Sequence, residues 1–254
     1  MSGFHFVTDL DGTWLAGPPA ARRRLEAALA VRPGVVLTFA TGRTFPSAMA
    51  ALAQEGLRPP HHLITDVGAA LFHLTPDGAW VEDQAWARLA ASAWNAPAAA
   101  GIVDSGLPAT VRPQPGLAPL RRLALQTAGG AGLSEAGTAV AEACRARGLA
   151  ADILPSHGLY LDVLPPGIHK GSALAFLQAA HKLPRPIVGC GDSANDLALF
   201  EAADLPLLMQ DGLPDGEIPT PLRDRIYRTK APGPEGIHLA LAAFGLLEGA
   251  PHGR

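Results

Sequence analysis

Apolar runs recur along the chain in two textures. Residues 4–8 (FHFVT) form a short apolar run that ends in acidic residues, the pattern of a buried strand. Residues 18–31 show helical spacing, with basic residues on one side. The run over 34–40 (GVVLTFA) is continuously apolar and rich in β-branched residues, as a strand buried on both faces would be. Residues 45–56 predict a helix and 62–65 (HLIT) another short strand. Strands alternating with helices imply right-handed crossovers and a parallel sheet.

From about Thr75 the texture changes. Residues 86–94 predict a helix, 122–126 a strand, and 134–147 a helix capped by Ser134 and stopped by Gly148. Residues 151–154 and 159–164 flank Pro155-Ser156-His157-Gly158, which predicts an antiparallel hairpin. After Pro165 the earlier pattern resumes: a helix over 171–181, a strand over 186–190 and a helix over 195–202. Short strands over 205–209 and 226–228 and an apolar final helix over 236–247 complete it. The expected organisation is an α/β, Rossmann-like parallel sheet with helices on both faces, made by residues 1–74 and 166–254. An inserted α+β cap would occupy residues 75–165.

Composition narrows the partners. A chain of 254 residues with 48% hydrophobic residues can build such a core and a smaller insert. A net charge of −3 excludes the concentrated basic footprint of a nucleic-acid binder. The arginines at 22–24, 121–122 and 145–147 read as solvated helix faces. Cys144 and Cys190 supply neither a disulfide framework nor zinc spacing, which fits a reducing cytoplasm. Asp9 and Asp11 interrupt the N-terminal run, so no signal peptide is expected, and no apolar stretch reaches membrane-spanning length. The expected partner is a small molecule, and the sequence leaves the oligomeric state open.

Four motifs carry candidate chemistry. Asp9-Leu10-Asp11-Gly12-Thr13 follows the first strand, and ligands of parallel sheets bind outside the carboxyl ends of strands. Two carboxylates at i and i+2 can face one cation there. DxDG also opens calcium loops, but position 12 of such a loop would be Ala20, which is not Glu. Thr41-Gly42-Arg43 follows the second strand, where a hydroxyl and free amides at a helix start can seat a phosphate; an ordinary strand-to-helix turn has the same residues. Lys170-Gly171 opens a later helix, and a lysine there either neutralises phosphate as a point charge or is a surface lysine. Gly189-Cys190-Gly191-Asp192-Ser193-Ala194-Asn195-Asp196 places two carboxylates four residues apart. That block also matches the dinucleotide fingerprint G-x-G-x-x-A, with Asp211 about 20 residues on. Asp192 directly follows the second glycine, however, where an anionic pyrophosphate would have to sit.

With these motifs in the order acidic pair, Thr, Lys, acidic pair, the chain resembles the haloacid dehalogenase superfamily of phosphatases with a C2-type cap. The runs DLDGTW, ATGR, LITDVGAALF, YLDVLPPGIHKGSAL and GCGDSANDLALF resemble the branch that holds sucrose-phosphate phosphatase and mannosyl-3-phosphoglycerate phosphatase. The chain departs from that pattern at Asp66, where relatives often carry an uncharged residue. The resemblance implies a magnesium-dependent phosphatase acting on a small phosphorylated sugar through an aspartyl phosphate on Asp9. It implies Asp11 as acid and base, and Mg2+ held by Asp9, Asp11 (through its carbonyl), Asp192 and Asp196. It implies Thr41, Gly42, Arg43 and Lys170 as phosphate-binding groups, with Ser193 and Asn195 orienting Asp192 and Lys170. Arg112, Arg121, Arg122 and His157 stand as cap residues able to contact substrate, Trp14 as packing or pocket wall, His61 and His62 as loop residues, and His169 as a turn or surface histidine. A sugar-phosphate mutase of the same superfamily, and a phosphoacceptor or binding protein without turnover, are the alternatives.

Overall fold

The structure, a computed structural model, describes residues 3–105, 107–128 and 132–247. Its first strands are β1 (His5–Thr8), β2 (Val36–Ala40), β3 (His62–Thr65), β4 (Ala70–Leu74) and β5 (Trp80–Glu82). A separate antiparallel sheet follows, from β6 (Val111–Pro113), β7 (Leu123–Thr127), β8 (Asp152–Ser156) and β9 (Tyr160–Leu164), in the order β6-β7-β9-β8. The chain then returns to the first sheet with β10 (Ile187–Gly191), β11 (Leu205–Leu208) and β12 (Tyr227–Arg228). The larger sheet has the order β12-β11-β10-β1-β2-β3-β4-β5. All of it from β12 to β3 is parallel, and β4 and β5 add an antiparallel edge.

Two apolar layers cover the larger sheet, as a parallel sheet buried on both faces requires. On one face Phe6, Trp14 and Phe39 pack with α1 (Pro19–Ala30), α2 (Phe45–Gln54) and, from the far end of the chain, Ile237 and Leu241. On the other, Val7, Ile64 and Leu71 meet Trp86 and Ala90 of α3 (Gln84–Ser92). The second sheet buries Leu125, Leu161 and Val163 under α4 (Ala96–Ser105) and α5 (Leu133–Ala146). Fully burying an aliphatic or aromatic side chain is worth roughly 1.5–3 kcal/mol, so these layers supply the main stabilisation of both sheets. The remaining helices are α6 (Lys170–His181), α7 (Leu197–Ala202), α8 (Thr220–Arg223) and α9 (Gly233–Ala243). Among the described residues no helix is long and apolar enough to cross a membrane.

The expected α/β architecture is present, with differences in detail. The stretch 75–82, assigned to the insert, instead makes the edge strand β5, and α3 packs on the larger sheet. Trp94 is the first residue to pack in the second sheet's cluster. β5 is three residues long and only half-buried, so it has no alternation to read. Ser134 is not a cap: α5 starts at Leu133 after Gly132, while Gly148 adopts the left-handed backbone (φ +64°) expected of a stop. His169 is neither free turn nor surface residue. It caps α6, accepting the Ser172 amide on Nδ1 at 3.1 Å, while the Ser172 hydroxyl takes the His169 amide at 3.0 Å. His62 lies on β3 and not in a loop.

Candidate active site

β1 delivers Asp9 to the carboxyl edge of the larger sheet, and the chain leaves through a wide turn. The Trp14 amide donates to the Asp9 carbonyl at 3.2 Å and the Leu15 amide to that of Leu10 at 2.8 Å. Gly12 sits at φ +73°, and a Cβ there would fall 2.5 Å from an Asp192 carboxylate oxygen. Only glycine lets the two acidic motifs approach this closely. The Thr13 hydroxyl completes the contact by donating to Asp192 Oδ1 at 3.0 Å.

Lys170 is fully buried at the start of α6, and its ammonium makes three bonds. Nζ donates to Asp9 Oδ1 at 2.9 Å, Asn195 Oδ1 at 2.8 Å and Asp196 Oδ1 at 2.7 Å. Asp196 Oδ2 accepts the amides of Asp192 and Ser193 at 3.0 and 3.1 Å, so both of its oxygens are engaged. Burial alone would lower the lysine's pKa; Asp196 and Asp9 outweigh it and push it up, so the ammonium stays charged. Burial raises Asp9 well above the usual carboxylate range, against the pull of Lys170. Burial and the neighbouring Asp196 raise Asp192 to about 6.

One oxygen from each of Asp9, Asp192 and Asp196 lies within 4.8 Å of the others. Three carboxyl groups against one lysine put acidic groups in excess at this point. Hard oxygen donors of this kind fit a small divalent cation, whose charge would relieve the repulsion among them. Asp11 stands apart from the trio. Its carboxylate is 46% exposed and paired to Arg43 through two bonds of 2.7 Å, from Nε and Nη2.

Thr41 is fully buried, and its hydroxyl accepts the Arg43 amide at 3.1 Å, which shapes the turn carrying Gly42 and Arg43. Gly42 and Arg43, with Asp9, Asp11 and Asn195, form one wall of a cavity of ≈ 630 Å³. The second sheet forms the opposite wall with Gln114, Leu117, His157, Tyr160 and Asp162. Arg122 spans the two walls: it pairs with Asp162 on β9, donates to the Gly42 carbonyl at 2.8 Å, and has Nε 3.5 Å from Asp66 Oδ1. Asp66 and Val67 both hold left-handed backbone (φ +53° and +58°), unfavourable for a β-branched valine. The Val67 amide bonded to the Thr41 carbonyl at 3.1 Å, and a fully buried side chain, hold it there.

The structure thus gathers Asp9, Lys170, Asp192, Asn195 and Asp196 at one point and sets Gly42, Arg43 and Asp11 along the same cavity. Thr41 supports this wall from within it. Asn195 accepts from Lys170, and the Ser193 amide donates to Asp196. Of the candidate second-sheet residues, Arg122 and His157 line the cavity, Arg121 pairs with Glu82 at 2.5 Å, and Arg112 is exposed on β6. Trp14 is packing, fully buried against Phe6 and Phe39. Gln114 and Leu117 went unread because they lie in a turn without a motif, and Tyr160 was not singled out although it opens the YLDVLPP run. Asp162 lies within the YLDVLPP run, which was its available signal.

The fold is that of the haloacid dehalogenase superfamily. A haloacid dehalogenase-like hydrolase from Bacillus subtilis superposes over 96% of this chain and 92% of its own, with TM-score 0.66 at 16% identity. The model of the sucrose-6F-phosphate phosphohydrolase family matches residues 3–245, and the chain belongs to that family of haloacid dehalogenase-type phosphatases. The sucrose-phosphatase from Synechocystis sp. PCC6803, solved with sucrose and phosphate, covers 96% of this chain and 99% of its own, with TM-score 0.79 at 28% identity. A glucosylglycerol-phosphate synthase from Pseudomonas anguilliseptica is 30% identical over 253 residues, 95% of this chain and 31% of that protein. Against several curated relatives the chain spans 31% of their length or less.

Proposed function

We propose that the chain hydrolyses the phosphate ester of a small glycoside, sucrose 6-phosphate or a close analogue, with Asp9 as nucleophile. The observation that carries this reading is Asp9 itself: a buried carboxylate on a charged lysine, at the floor of a cavity closed by a second sheet. Lys170 holds Oδ1 of Asp9, and the other oxygen takes no protein hydrogen bond among the described residues. An Asp9 oxygen attacks phosphorus, the bond to the sugar oxygen breaks, and an acyl phosphate forms. Asp11 gives its proton to the leaving alkoxide and then takes one from the water that hydrolyses the acyl phosphate. In this mechanism Asp11 exchanges its Arg43 partner for the leaving group. Gly42, Arg43 and Lys170 supply positive charge and donors to the transferring oxygens. Asp9, Asp192, Asp196 and the Asp11 carbonyl would hold magnesium, which would neutralise charge between the nucleophile and the phosphate.

The second sheet acts as a cap in this reading. It excludes proteins and nucleic acids from a cavity of ≈ 630 Å³ and presents neutral polar groups, Gln114 and Tyr160, to the leaving sugar. The relative that spans 95% of the chain is named for glucosylglycerol phosphate, which makes that ester the rival substrate. Phosphate release should be measured for sucrose 6-phosphate, glucosylglycerol phosphate, mannosyl-3-phosphoglycerate, trehalose 6-phosphate and hexose phosphates, with and without Mg2+. A nucleotide or phosphoprotein turned over tenfold faster than all of these would overturn the sugar assignment. Undiminished turnover in excess chelator would overturn the metal.

A further inference from the structure

At the amino ends of the parallel strands, away from the cavity, lies a cluster the phosphatase reading leaves unused. His73 on β4 stands opposite His62 on β3, with their Nδ1 atoms 2.8 Å apart. His73 Nε2 lies 2.9 Å from Asp83 Oδ2. The ring of His181, the last residue of α6, comes within 4.8 Å of the His73 ring, centroid to centroid. One ligand atom each from His73, Asp83 and His181 lies within 4.8 Å of the other two. Three elements distant in sequence therefore converge two imidazoles and a carboxylate on one point.

We propose that His73, Asp83 and His181 form a second metal site, selective for a borderline transition cation such as Zn2+ over Mg2+. Imidazole nitrogen suits zinc, cobalt, nickel and copper, whereas the all-carboxylate trio at Asp9 suits hard cations. Asp83 divides its two oxygens. Oδ1 accepts the Ala85 and Trp86 amides at 2.9 and 2.8 Å and caps α3, while Oδ2 faces His73. His62 supplies outer support. Its Nδ1 lies 2.8 Å from His73 Nδ1, and a His62 nitrogen that accepts the His73 Nδ1 proton leaves the His73 Nε2 lone pair for the ion. His181 is exposed, which gives the ion a route in and leaves a further position to water. A bound ion would clip the end of α6, whose other end carries Lys170, to β4 and the start of α3.

The test is equilibrium dialysis of the full chain against Zn2+, with millimolar Mg2+ filling the carboxylate trio, alongside thermal melting. About one Zn2+ should bind per chain and raise Tm, and Mg2+ alone should give no such rise at this site. Because His181 is exposed, His181→Ala should keep the metal-free Tm and weaken zinc binding by about tenfold or more, while His238→Ala on α9 serves as the unchanged control. Wild-type zinc affinity in His181→Ala, or no zinc retained against Mg2+, overturns the site. Should His181→Ala fail to fold, Co2+ bound to the unmodified chain still decides. A nitrogen-ligated visible spectrum supports the site, and a weak, all-oxygen six-coordinate spectrum overturns it.

Discussion

The two walls of the cavity are built by different rules. The wall from the larger sheet is made of charges, each already bonded: Lys170 to three acceptors, Asp196 through both oxygens, Asp11 to Arg43. The facing wall also has an ion pair, Arg122 with Asp162, but Gln114, Leu117 and Tyr160 around it are neutral. Bonded charges on short strand-end loops cannot move without loss, so they suit chemistry that must be repeated unchanged. Neutral groups on a separate sheet can be exchanged at little cost, so they suit the choice of leaving group.

If this division is right, substitutions should separate by wall. The largest effect is expected from Asp9→Asn, a loss of turnover of roughly 10⁴-fold or more with little change in folding. Lys170 retains Asp196 and Asn195 as partners in that variant. Near wild-type kcat would remove Asp9 as nucleophile. Asp11→Asn should cost roughly 10²- to 10⁴-fold and slow both half-reactions. Burst kinetics equal to wild type in both phases would contradict its acid and base role. Across the cavity, Gln114→Ala and Tyr160→Phe should lower kcat/KM for the glycoside phosphate by about tenfold, while a small aryl phosphate is spared. Equal losses on both substrates would erase the distinction between the walls.

A last effect lies outside the cavity and touches stability, not turnover. His5 is buried on β1 between Thr38 and Gln178, and burial lowers its pKa to about 4. An unfolded chain takes up a proton near the ordinary histidine value while the folded chain does not until about pH 4. Stability should therefore fall as pH drops through that window, by up to roughly 3 kcal/mol. Urea midpoints at pH 7 and pH 5 should lie closer together in His5→Gln than in the wild type. An unchanged pH dependence would show that His5 does not titrate in this way.

The legible part of the molecule was the part governed by local chemistry. Buried parallel strands are continuous apolar runs, and the charged wall sits on their ends, so Asp9, Lys170, Asp192 and Asp196 could be read as motifs before any contact was known. The pairing of Asp11 with Arg43 was not readable, because it joins residues 32 apart that meet only across two strand ends. The left-handed pair Asp66–Val67 had no signal either. Valine disfavours that backbone, and tertiary contacts alone enforce it. Proline and glycine in α4 (APAAAG) hid a helix whose Pro97 falls in the first turn, where no amide is required.

Arg122 also bears on timing. Its guanidinium is 6% exposed and rests on Asp162 of its own sheet, and on Gly42 and Asp66 of the other. To part the sheets, a buried cation must give up two of its partners before water can replace them. The residence time of the dephosphorylated product would then be set at this contact between the sheets and not at phosphorus. Turnover should accordingly slow with added solvent viscosity in the wild type, and less so in Arg122→Lys, whose ammonium cannot bridge both walls at once.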